Sequence, residues 1–300
     1  MTTPFSMDLV LLIFYVVFAA QIGLISVYFP LKLRGRILYV IDHYPVEDYP
    51  KFYPAPFDSY AKNAASTRMP KYLGVNFTVA GLGLIVLVIM ALNGYQPALV
   101  GGDEIFVIFY FLLQFFAMFY PILLEYNHLK LLRETYTAGS IRTANLTPRR
   151  LIDYVPPAYV ILAVTLFIAW VGSFVLMESS LLQQETAILP IEVVITIVGI
   201  TGLNLVYCWM IFRKLSGQAA NPHQPSMEQE KQIELTVKSL VLTSIAISLF
   251  LIATNLADHF RLEVFDPPLT SFYLQLCVLL GLGMSFQMLR VSDLDFEVYR

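Results

Sequence analysis

Seven stretches of this 300-residue chain hold enough consecutive apolar residues to cross the hydrocarbon core of a bilayer. That core is about 30 Å thick, and a helix rising about 1.5 Å per residue needs roughly 20 residues to span it. The windows are 8–29, 72–93, 105–124, 158–177, 188–212, 235–256 and 269–289. Leu, Ile, Val and Phe fill them without the strict two-residue alternation of a membrane β-strand. The expected class is therefore all-α: a polytopic integral membrane protein, one seven-transmembrane-helix bundle over 1–300. Charged residues are only 14% of the chain, against about a quarter in soluble domains, so no second, soluble domain is expected.

The basic residues orient this bundle. Of the 19 Lys and Arg residues, all but Arg261 fall in 30–71, 125–157, 213–238 or 290–300. The alternate connections, 94–104, 178–187 and 257–268, are short and nearly bare of them. Basic residues near spans stay on the cytoplasmic side. The expectation is an outside N-terminus, a cytoplasmic C-terminus, and cytoplasmic loops at 30–71, 125–157 and 213–234. Ala19-Ala20 mimics a signal-peptide cleavage site, but the basic n-region such a peptide needs is missing. The bare outer face points to a bacterial cytoplasmic (inner) membrane.

The first cytoplasmic loop is the most unusual stretch. Over 31–41 an amphipathic interfacial helix is expected, with Lys32, Arg34 and Arg36 among lipid headgroups at about 1 kcal/mol each. Membrane lipids are thus expected partners. Three Tyr-Pro steps follow: Tyr44-Pro45, Tyr49-Pro50 and Tyr53-Pro54. Proline biases its predecessor toward extended geometry and removes backbone donors, so an extended aromatic strap is expected. Such a strap either packs against the inner helix ends or docks a cytoplasmic or membrane protein, as Pro-rich segments do. The alternation of acidic and apolar residues over 293–299 reads as a short edge strand able to pair with it. Elsewhere the third span is expected to run on through Leu132 to a stop at Gly139. Thr147-Pro148 reads as a helix start, and so does Ser226 with Gln229, as a capping box.

Inside the membrane the chemistry is sparse. No ionisable residue falls at mid-span, which argues against proton pumps and carriers built on buried carboxylates. Window 269–289 has no lysine for a retinal Schiff base. The four histidines (His43, His128, His223, His259) lie in loops or at span ends, so no haem is expected between helices. No HExxH, CxxC, P-loop or GxGxxG occurs, and neither cofactor, metal nor nucleic-acid partner is expected. Glu125 and His128 have a di-metal spacing, but that chemistry needs two such motifs. Asp258 and His259, with Glu192 and Asp8, form at most a small acidic patch at the outer ends.

Uncharged amides remain. Gln21, Asn76, Asn204 and Gln287 fall in the cytoplasmic half and Gln114 near the midplane. They either pair helices with one another or line a cavity for a neutral solute. Aromatic residues surround window 105–124 on all sides, as packing and interfacial belts produce. These observations lead to the expectation of a non-enzymatic, membrane-embedded interaction or assembly protein. The alternative is a carrier or sensor for a neutral or lipid-like small molecule.

Overall fold

The computed structural model describes residues 7–96, 104–135, 149–182, 191–216, 224–284, 291 and 294–300. Among them every regular element is helical. The long helices are α1 (Met7–His43), α2 (Ala61–Leu92), α3 (Glu104–Thr135), α4 (Pro157–Leu182), α5 (Ile191–Ser216), α6 (Ser226–His259) and α7 (Glu263–Gly283). All but α4 are long and apolar enough to cross a membrane; the apolar stretch described in α4 is shorter, Pro157–Ser173. A single helical turn, Leu151–Tyr154, precedes α4, and a 3-10 turn, Glu297–Tyr299, closes the described chain.

Among the described residues three of these helices widen locally, α7 over Leu279–Gly283 and two others for a shared reason. In α1 the stretch Ile22–Tyr28 is π-helical, and in α2 so is Ala64–Arg68. A proline stands two residues beyond each, Pro30 and Pro70. Proline has no N–H for the carbonyl four residues back, and its ring collides with that carbonyl. Those carbonyls belong to Ser26 and Ser66, each inside the π stretch. A wider turn relieves the clash and re-satisfies the backbone.

The helices pack in two groups. In the first, α1 and α3 each lie against both α2 and α7; in the second, α4 and α5 each lie against α6, and the α6–α7 contact joins the groups. Phe14, Phe18 and Ile22 of α1, Ala80 and Leu87 of α2, and Val107 of α3 form the first core. There Tyr110 lies against Gly83 so closely that a Cβ on the glycine would stand 2.2 Å from the phenol oxygen. Tyr110 Oη donates to the Val79 carbonyl at 2.9 Å. Val155 before α4, with Ile233, Val237, Val241 and Ile245 of α6, makes the second core. Exposed apolar residues such as Leu205, Trp209 and Phe212 cover the outside of α5.

Four local expectations are corrected. Residues 31–41 are helical, as expected, but form no separate helix: they continue α1 to His43. The Tyr-Pro stretch is not extended: it folds into successive turns, with Tyr49 N–H donating to Pro45 O, Phe52 N–H to Tyr49 O and Tyr53 N–H to Pro50 O. Proline favours the second position of a β-turn, where its fixed φ is already correct, so Tyr49-Pro50 starts a turn. Residues 294–300 form no strand, ending instead in the 3-10 turn. Finally, α6 begins at Ser226, but the cap position is Pro225 and makes no side-chain bond. Thr147-Pro148 and Gly139 lie outside the described residues.

Candidate functional site

At the end of the bundle where α1 stops, the strap 44–57 and the segment 294–300 fold together into an aromatic platform. Its buried members are Tyr49, Tyr53, Ala61, Phe296 and Tyr299, flanked by half-buried Tyr44, Val46, Phe52, Leu294 and Val298. Each Tyr-Pro step has a definite place. Tyr44 is half-buried, its ring stacked on Phe296 at 3.8 Å. Pro45 lends its carbonyl to the first turn, and Pro50 is exposed at the second. Tyr49 is buried and donates its hydroxyl to Glu297 at 3.4 Å; Tyr53, also buried, donates to the Tyr44 carbonyl at 2.8 Å. Pro54 is buried, and its carbonyl accepts from Phe57 N–H.

Helix α3 braces this platform from the side. The His128 ring nitrogen Nε2 lies 2.6 Å from the Phe52 carbonyl, and its ring meets Phe52 edge-on at 5.0 Å and Phe57 at 4.5 Å. A carbonyl only accepts, so Nε2 carries the proton. His128 lies beyond the apolar window of α3, which ends at Leu124. Burial holds its pKa below the ordinary 6.5, partly offset by the Phe52 carbonyl. Glu125, the other half of the motif, is exposed and lies in the field of Lys214 of α5.

The intramembrane amides divide. Gln21 and Gln114 meet: Gln21 Nε2 donates to Gln114 Oε1 at 2.9 Å, and Gln114 Nε2 donates to Ser26 Oγ at 2.8 Å. Ser271 Oγ of α7 completes the set by donating to Gln21 Oε1 at 2.6 Å. All four side chains are fully buried. The π stretch explains why Gln21 and Ser26 both reach Gln114. In an α-helix, residues five apart point roughly 140° from one another, whereas the wider π turn brings them toward one face. Asn204 lies on a different helix pair, accepting from Ser244 Oγ of α6 at 2.6 Å and donating to Ile200 O. Asn76 is fully buried and donates to Tyr72 O of its own helix, while its Oδ1 has no hydrogen-bond partner. Gln287 lies outside the described residues.

At the opposite end the acidic groups regroup. Asp258 lies in the field of Glu104, Glu263 and Asp266, while Asp8 is exposed. The Glu192 side chain lies outside those described. Among the described residues no three His, Cys, Asp or Glu side chains are arranged to hold a metal ion.

Sequence reasoning missed Ser26, Ser271 and the strap role of His128. It singled out 293–299 as able to pair with the strap, and Phe296 and Tyr299 do pack there, though from a 3-10 turn rather than a strand. No family model matches the chain, and neither the curated proteins nor the solved structures contain a match to it.

Proposed function

We propose that this chain is a non-enzymatic, membrane-embedded interaction or assembly protein, and that its strap-end face binds a protein partner. In this reading seven helices cross a bacterial cytoplasmic membrane, with the N-terminus outside and the strap, the basic residues and the 294–300 segment in the cytoplasm. Support for seven crossings comes from α4: its 26 residues amount to about 39 Å of helix.

The observation that carries the reading is the platform itself. Segments distant in sequence are folded into one compact aromatic surface there, while the bundle amides Gln21 and Gln114 are consumed by each other and by two serines. Buried Tyr49 and Tyr53 form the base of this surface. Its accessible rim is Glu47, Asp48, Lys51, Asp295, Glu297 and Arg300, around half-exposed Tyr44 and Val46. The carrier alternative draws no comparable support, because the paired amides keep few hydrogen-bonding groups for a solute.

Photocrosslinking in native membranes tests this. A crosslinker placed at Asp48 or Lys51 is expected to give one discrete protein adduct, and one at lipid-facing Phe116 to give none. Folded protein yielding no strap-specific adduct would remove the reading.

A further inference from the structure

The rings of Phe296 and Tyr299 point the same way. Phe296 caps a 3-10 turn that ends at Tyr299, residues three apart in such a turn eclipse, and the two ring centroids are 6.2 Å apart. Phe296 lies between the Tyr44 ring at 3.8 Å and the Phe52 ring at 5.5 Å, and Tyr299 meets Phe52 at 5.0 Å. One backbone bond, Lys51 N–H to Tyr299 O at 3.3 Å, fixes the register.

The walls of this pocket are held without help from its occupant. Tyr53 Oη fixes the Tyr44 carbonyl, and His128 fixes Phe52 through its carbonyl and its ring. Beyond the Lys51 bond and the Tyr49 hydroxyl on Glu297, two further polar contacts of the occupant sit at the rim. Glu297 pairs with Arg300 within the segment, and both side chains are more than 60% exposed, so that pair adds little. Asp295 N–H donates to Glu228 Oε1 of α6 at 2.6 Å, also exposed. Phe296 and Tyr299 are the two buried side chains of the segment, with half-buried Leu294 and Val298 packed beside them.

We propose that the strap is a recognition pocket for a protein segment of the form aromatic-x-x-aromatic folded as a single 3-10 turn. Phe296 and Tyr299 are its resident occupant, and a partner enters by presenting the same pattern in their place. This rests on the proposed function above and names the chemistry of the partner. A tethered occupant acts at an effective concentration in the millimolar range for a short linker, so the intact chain resists a micromolar competitor.

The test uses a fluorescent synthetic peptide of residues 291–300 and the full chain in lipid nanodiscs. The double variant Phe296→Ala/Tyr299→Ala is expected to bind the peptide at least about tenfold more tightly than the native chain, since the tethered competitor is disabled. Adding Tyr44→Ala to that variant, or removing both aromatic rings from the peptide, is expected to abolish binding. Equal binding to native and variant chains overturns the proposal, as does indifference to the peptide's aromatic rings or no binding by a folded variant. Should the double variant fold poorly, Tyr299→Ala alone takes its place, with a smaller gain in the same direction. The crosslinking experiment separates the two readings. An adduct without peptide binding removes this pocket and keeps the proposed function. Peptide binding without an adduct in either chain keeps the pocket as an intramolecular latch and removes the partner.

Discussion

His128 shows how one side chain couples the strap to the bundle. Its charged form is disfavoured in the folded chain, so its folded pKa lies below the unfolded value of about 6.5. The unfolded or undocked state then binds more protons as the pH falls below that value, and stability contributed at neutral pH is lost on acidification. Protection of the strap amides, measured as the exchange rate relative to the intrinsic rate at each pH, is expected to fall between pH 7.5 and 5.5, and a His128→Gln variant to lose that fall. Native strap protection unchanged over this range would contradict the assignment. Gly83 makes a different point. A methyl there collides with Tyr110 and breaks its bond to Val79. Gly83→Ala should therefore cost about 1–3 kcal/mol, measured as a lower thermal midpoint in micelles, with partial rescue by Tyr110→Leu. The sequence marks Gly83 as a small residue suited to close helix approach and His128 only by its spacing from Glu125; neither partner was legible. A glycine in an apolar window and a histidine past its end acquire their roles only from what a distant helix brings beside them.

Among the elements, the helices follow the apolar windows closely, because hydrocarbon demands satisfied backbone and only a helix satisfies it locally. Their extensions were partly legible: α3 runs past Leu132 and α6 begins at Ser226, as expected, while that of α1 was not foreseen. The window 8–29 became a helix reaching His43, since nothing after Pro30 in that run breaks a helix once the π stretch has absorbed the proline. The strap was misread because a Tyr-Pro step is compatible with both extended chain and turn, and long-range packing selects the turn. The amide network joins α1, α3 and α7, and a double-mutant cycle measures it. Gln21→Leu and Gln114→Leu should each destabilise, and the pair together should cost less than the sum. The coupling expected is about 0.6 kcal/mol, up to about 1.7 kcal/mol, the range for hydrogen bonds between membrane helices. Additive losses would mean that the two amides act separately.

For the whole molecule, the division into two helix groups leaves α5 held mainly by α6, with the Asn204–Ser244 bond as one polar tie between them. Replacing Asn204 with Leu is expected to increase disulfide trapping between engineered cysteines on α5 and a second copy, as that helix loosens. The proposed orientation rests on charge distribution alone, which no packing contact could replace. Fusion reporters therefore check it directly: one after Arg300 should read as cytoplasmic and one inserted at 97–103 as external. The platform has a further bearing on how the protein is made. Tyr49 and Glu297 are 248 residues apart, and a ribosome adding about 5–20 residues per second takes roughly 12 to 50 s to cover that distance. For that interval the newborn strap waits with its aromatic cleft vacant while helix after helix enters the bilayer. Whatever reaches the cleft first during translation, a folding factor or a ready-made subunit, competes with a guest that is still being synthesised.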